Sequence, residues 1–134
     1  MASSVIKRYG KAILDIAKEK GIKVGAMIGA AKHAVRQAEA GIDLLIASGT
    51  EAGGHTGDLS PFAFISEVRS IFDGTIIVGG SISSGDAVLS IKALGADMAY
   101  MGTRFIATEE SDATEDYKQM ILNASANDII KSNK

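Results

Sequence analysis

Apolar residues at Val5, Ile6, Tyr9, Ile13, Ile16 and Ala17 recur at helical spacing and stop at Lys20-Gly21, a basic last turn before a glycine cap. This predicts an amphipathic helix. Ile22–Ile28 (IKVGAMI) is short, apolar and bounded by Gly29, the signature of a strand buried on both faces. Ala31, Ala34, Val35 and Ala38 mark a small-residue helical stripe ending at Gly41, and Asp43–Ser48 (DLLIAS) reads as a second buried strand. Gly49–Gly57 (GTEAGGHTG) has no apolar period and reads as a loop. Ser60-Pro61 then supplies an N-cap and a first helical residue for a helix with Phe62, Ile65, Val68 and Phe72 inward. Thr75–Val78 is the third predicted strand. After the Gly79–Gly85 turn comes a helix lined by Val88, Ile91 and Leu94, then a fourth strand at Asp97–Met101. A last helix carries Tyr117, Met120, Ile121 and Ala124, whose stripe reads as core.

Alternation of this kind, with connections too long for hairpins, implies an α/β fold built on a parallel sheet with helical crossovers. A weak internal repeat supports it. AEAGIDLLIASGT and IKALGADMAYMGT both run helix end, Gly, any residue, Asp, apolar strand, Gly-Thr. The repeat favours parallel βα units of a TIM (β/α)8 barrel, with helices outside. A complete barrel takes about 250 residues, so 134 residues correspond to half of one, a single domain over residues 1–134.

Composition narrows the partners. Fourteen Lys plus Arg against sixteen Asp plus Glu leave a net charge of −2 and no basic block, which argues against nucleic acid. There is no Cys, which removes disulfides and thiolate metal sites and suits a cytoplasmic location. No apolar run approaches the roughly 20 residues that span a bilayer, so no membrane partner is expected.

In a barrel, the residues just after each strand line the catalytic face. The loops after Ser48, Val78 and Met101 are rich in Gly, Ser and Thr. Gly79-Gly80-Ser81-Ile82-Ser83-Ser84-Gly85 leads straight into a helix, and amides exposed at a helix start bind anions without any cation. Met101-Gly102-Thr103 offers a second set of donors. Either loop alone reads equally well as a tight turn; the pair on consecutive strands favours phosphate. Arg104 reaches that phosphate or holds the strand end. His55, in Glu51–Gly57, projects from a loop whose glycines let backbone approach a ligand, and an imidazole titrating near neutrality suits proton transfer. A plain surface histidine is the alternative. Metal binding with Glu51 and Asp58 lacks a second His or any Cys, so no metal is expected. His33, between Lys32 and Arg36, faces solvent, and Glu109 and Glu110 read as a solvated loop.

Three runs in order, ASGTEAGGHTG (Ala47–Gly57), GGSISSGDAVLSIKALGAD (Gly79–Asp97) and MGTRFIATEES (Met101–Ser111), resemble the C-terminal half of the nitronate monooxygenase family. Flavin-type enoyl-[acyl-carrier-protein] reductases are close relatives of that family. The resemblance spans about Ile22 to Ile130 and implies an FMN-binding TIM barrel of which these are the fifth to eighth strands. It implies that His55 is the catalytic base, taking an α-proton from a nitroalkane or positioning a nitronate. Gly53 and Gly54 would lie at the flavin, while Gly79, Gly80 and Ser81 with the following helix hold the FMN phosphate. Met101, Gly102, Thr103 and Arg104 would complete the cradle. The implied reaction oxidises a nitronate with dioxygen to a carbonyl compound and nitrite. Ser48 stands where members often have Gln, which bears on one flavin contact. Ser81 replaces a turn glycine, at little cost if its φ is negative. The alternatives are an NAD(P)H-dependent enoyl reductase of the same architecture and a non-catalytic phosphate-binding half-barrel. A small-molecule substrate is expected, as is either a homo-oligomer or a missing N-terminal half-barrel.

Overall fold

The computed structural model describes residues 2–49, 52 and 59–130, with side chains described from residue 9 onward. These residues fall into two compact units, Met1–Tyr100 and Met101–Lys134. The first runs α1 (Ala2–Glu19), β1 (Gly25–Ile28), α2 (Ala31–Ala40), β2 (Leu44–Ser48), α3 (Pro61–Arg69), β3 (Thr75–Gly79), α4 (Gly85–Ala93) and β4 (Met98–Tyr100). Its four strands pair in parallel in the order β1-β2-β3-β4, as expected for consecutive βα units.

Side chains alternate across the sheet. Ile28, Leu45, Ala47, Ile76 and Val78 point to the helices and are buried, where they meet Ala31, Ala34, Phe64, Ile65, Val68 and Ile91. Glycine caps end two helices in the left-handed conformation, Gly21 (φ 65°) and Gly41 (φ 76°), and Gly95 (φ 109°) turns the chain after α4. Lys18 reaches across to the carbonyl of Ala40 at 3.4 Å, adding a cation at the C-terminus of α2.

The first strand is shorter than the apolar run Ile22–Ile28. Ile22 spends its amide on the carbonyl of Ala17 in the α1 cap, and Val24 donates to the Asp43 carboxylate at 2.9 Å, so ladder pairing starts only at Gly25. In α3, Phe64 rather than Phe62 is buried. Phe62 lies in the first turn and faces solvent.

The two halves of the internal repeat carry one shared device. The Asp43 carboxylate accepts from Val24 while its own amide donates to the Val24 carbonyl at 3.0 Å, and Lys23 pairs with the carboxylate at 2.8 Å. Asp97 repeats this on Ile76, with both hydrogen bonds at 2.8 Å. Its cation is Arg69, at 2.6 Å. Arg69 also donates to the carbonyls of Phe72, Gly74 and Gly95, tying the end of α3 to the starts of β3 and β4. The lysine and the backbone amide hold Asp43 below its ordinary pKa; for Asp97 the Ile76 amide leads and Arg69 adds to it.

The second unit holds α5 (Thr103–Ile106), α6 (Glu115–Asn123) and a 3₁₀ turn at Ala126–Asp128. Thr114 caps α6 through the amide of Tyr117. The stripe expected as core is open to solvent at Tyr117 and Met120, while Lys118 is the buried residue, 3.4 Å from Glu115. A unit this small has little apolar surface to set against the stripe.

Two measurements check the Asp–Arg device. Both aspartates are depressed in the folded state, so their stabilisation is complete above about pH 4, near the unfolded value, and is lost as pH falls through the lower folded values. Urea titrations should give a midpoint flat from pH 7 to 5 that drops below pH 4, and Asp97→Asn should lower the neutral midpoint and flatten the acid limb. Arg69→Ala, which strips three carbonyls and a carboxylate of their donor, should cost about 2 kcal/mol.

Candidate functional site

Register places the C-terminal ends of the strands level. Ser48 pairs with Gly79, and Gly79 with Tyr100, forming one row on the sheet face turned away from the helices. Ser48 is buried there. A Cβ on Gly79 would sit 3.3 Å from Cδ1 of Tyr100, so a side chain at 79 would press on that ring. Sequence reasoning passed over Tyr100. Its signal was the strict alternation in Asp97–Met101, which puts Met98 and Tyr100 on the same face.

β3 delivers the chain into Gly80 (φ 117°) and Ser81 (φ 50°), two successive residues with positive φ. The expectation that Ser81 sits at little cost holds only for a negative φ and is corrected here. A serine in the left-handed region carries strain on the order of 1 kcal/mol that a glycine avoids. Ile82 then buries its side chain, which anchors the turn, and Ser84 caps α4 by accepting from the Ala87 amide at 3.2 Å.

That cap consumes the third amide of the helix and leaves the earlier ones. Among the described residues, nothing accepts from the amides of Ser81, Ser83, Ser84, Gly85 or Asp86. A Cβ on Gly85 would meet nothing within 4 Å, so the space before α4 is open. The donor set is neutral N–H and O–H at the head of a nine-residue helix, which suits a phosphate group by dipole and hydrogen bond rather than by countercharge. The one charge in the first turn is the exposed carboxylate of Asp86.

On β2, Gly49 follows Ser48. A Cβ there would lie 3.1 Å from the Leu59 carbonyl, so the described ends of the glycine-rich segment meet beside β2. His55, Gly53 and Gly54 lie outside the described residues, as do Glu51 and Asp58. In the second unit, Met101 is half-buried and Gly102 precedes α5 with φ −116°, a conformation open to any residue. Thr103 and Arg104 are exposed on α5, a helix of only four residues. The structure therefore brings Ser48, Gly79, Gly80 and Ser81 to one end of one sheet, while Met101, Gly102, Thr103 and Arg104 belong to the second unit. His33 is exposed, as its neighbours implied. Among the described residues no group of acidic or histidine side chains could hold a metal ion, and no helix is long and apolar enough to cross a membrane.

Comparison with known proteins adds four findings. The family described as nitronate monooxygenase matches residues 6–133. A protein of Mycobacterium tuberculosis named as a monooxygenase is 35% identical over 121 residues, covering 90% of this chain and 32% of its own length. The structure of FabK from Thermotoga maritima superposes with a TM-score of 0.80 at 36% identity, over 86% of this chain and 37% of that one. For a nitroalkane oxidase from Streptomyces ansochromogenes the values are 0.73 and 28%, over 81% and 35%. Both structures are TIM barrels, and the parallel sheet is consistent with half of one. The chain spans about a third of the length of these relatives.

The turn geometry is open to a direct check. Ser81→Gly should raise the denaturation midpoint by about 1 kcal/mol equivalent or slightly less, because relief of the left-handed strain is partly offset by a freer unfolded chain. Gly80→Ala should lower it by at least as much. Equal midpoints for both variants and the parent would contradict the positive φ values.

Proposed function

The chain belongs to the nitronate monooxygenase family, a family of flavin-dependent oxidoreductases, and from that premise we propose that it carries the FMN-phosphate site of a nitronate-oxidising enzyme. The supporting observation is the Gly80–Ser81 turn with its open row of amides leading into α4. Those amides suit a phosphate tail, with Ser84 holding the helix start rigid so that the donors stay aimed outward. Ser48 and Gly79, level with each other on the open face, would lie on the flavin side of the turn. In this reading Gly53 and Gly54 allow close backbone approach to the ring, while Met101, Gly102, Thr103 and Arg104 complete the grip on the phosphate.

When bound, FMN would supply the redox chemistry for oxidising a nitronate with dioxygen to a carbonyl compound and nitrite. The rest falls to side chains. The His55 imidazole removes the α-proton of a neutral nitroalkane and afterwards, as a cation, steadies the negative nitro oxygens of the resulting nitronate.

Two experiments test the proposal. Fluorescence titration should show FMN binding at least tenfold tighter than riboflavin, which lacks the phosphate; equal affinity would remove the cradle. In the full-length enzyme, His55→Ala should reduce turnover of neutral nitroalkanes by about 100-fold or more with FMN affinity unchanged. Turnover that requires NAD(P)H and an enoyl thioester, and none with nitronates, would assign the site to an enoyl reductase instead.

A further inference from the structure

The parallel register lays out the sheet face turned away from the helices in rows. Met27, Ile46, Ile77 and Met98 pair in turn across the four strands and make a row that is apolar throughout. Two residues nearer the C-terminal ends of the strands, the row of Ser48, Gly79 and Tyr100 changes character, to a hydroxyl, no side chain and a phenol.

Gly79 does not owe its identity to the backbone. Its φ lies outside the positive region that Gly80 and Ser81 occupy, so other residues could hold the strand there. What a side chain at 79 would disturb is Tyr100. A Cβ there would come within 3.3 Å of Cδ1, 3.6 Å of the carbonyl oxygen and 3.7 Å of Cβ of Tyr100, so the phenol ring uses the space that glycine leaves. An aliphatic side chain, as in the row below, would fill that space without adding a polar group. The phenol adds a hydroxyl, and among the described residues this hydroxyl has no hydrogen-bond partner. Gly79 leads directly into Gly80, which puts Tyr100 at the root of the turn whose amides stand open.

We propose that Tyr100 binds the sugar-alcohol chain that joins the phosphate of a flavin nucleotide to its ring, the aromatic face packing along the carbon chain and the phenol exchanging a hydrogen bond with one of its hydroxyls. This deepens the flavin reading of the turn and rests on it. The chemistry of the two partners matches. A polyol offers C–H edges and O–H groups together, and tyrosine offers an apolar body with a polar tip that both donates and accepts. Two marks of the ligand are then read separately, the phosphate by the Gly80–Ser81 turn and the hydroxylated chain by Tyr100. Gly79 serves both, since it delivers the strand into the turn and leaves room for the ring.

Three ligands that share the flavin ring separate these contacts: FMN, riboflavin, which lacks the phosphate, and lumiflavin, which lacks the chain as well. Each is titrated by fluorescence against the parent chain and its variants. Tyr100→Phe keeps the aromatic ring and removes the hydroxyl. It should weaken FMN and riboflavin by the same factor, about three- to tenfold, and leave lumiflavin within about twofold, as expected for the loss of one neutral hydrogen bond. The ratio of FMN to riboflavin affinity should not change. Gly79→Ala should also weaken riboflavin, by displacing the ring, and should cost less in a chain that already carries Tyr100→Ala than in the parent. Equal losses for all three ligands, a loss confined to FMN, or no loss with Tyr100→Phe would overturn the proposal. A parent that binds FMN and riboflavin equally, with the selective loss on Tyr100→Phe intact, would remove the phosphate cradle and leave the role of Tyr100 standing.

Discussion

Each half of the sheet is locked by a carboxylate that reaches sideways to the neighbouring strand. Asp43 and Asp97 both exchange two hydrogen bonds with one residue of the preceding strand segment, Val24 and Ile76, while a cation closes over the carboxylate. In a parallel sheet a shift of register would move every apolar side chain to the wrong face. These reciprocal pairs fix it at the N-terminal end of the strands. The consequence appears at the far end, where Ser48, Gly79 and Tyr100 emerge level. The strand-end row is therefore set by charges placed at the opposite end of the sheet.

Function in this arrangement depends on separating the two ends. Stability is concentrated where Arg69 gathers three carbonyls and a carboxylate. The site end has no cation in the turn and spends strain instead, at Ser81. In the proposed function, a neutral donor set in front of a helix would bind a phosphate tail by direction and favour one presented along the α4 axis. That is a geometric filter, and it suits a cofactor whose ring has to be held at a set place relative to its tail.

Much of this was legible in the sequence, for identifiable reasons. The parallel order followed from the βα alternation, and the caps at Gly21 and Gly41 followed from glycine's access to positive φ. The Gly79–Gly85 turn could be placed because glycine and serine crowd between a strand and a helix. Where the reading failed, the cause was either a partner outside the local window or a local detail that periodicity does not carry. β1 lost its first residues to the Ala17 carbonyl and the Asp43 carboxylate, neither of which periodicity can see. Phe62 and Phe64 are equally apolar, and only the starting phase of α3 at Pro61 chooses between them. α5 was missed because four residues are too few to show a period. The sign of φ at Ser81 could not be read from a serine at all.

The Gly80–Ser81 turn holds two successive positive φ values in the folded state, a conformation that the unfolded chain visits only in passing. Any molecule that binds that turn in the folded chain alone therefore adds stability by mass action. Occupancy would then govern how long the polypeptide survives proteolysis in a cell. Scarcity of its ligand would show first as a fall in abundance, before any fall in the activity of each surviving molecule.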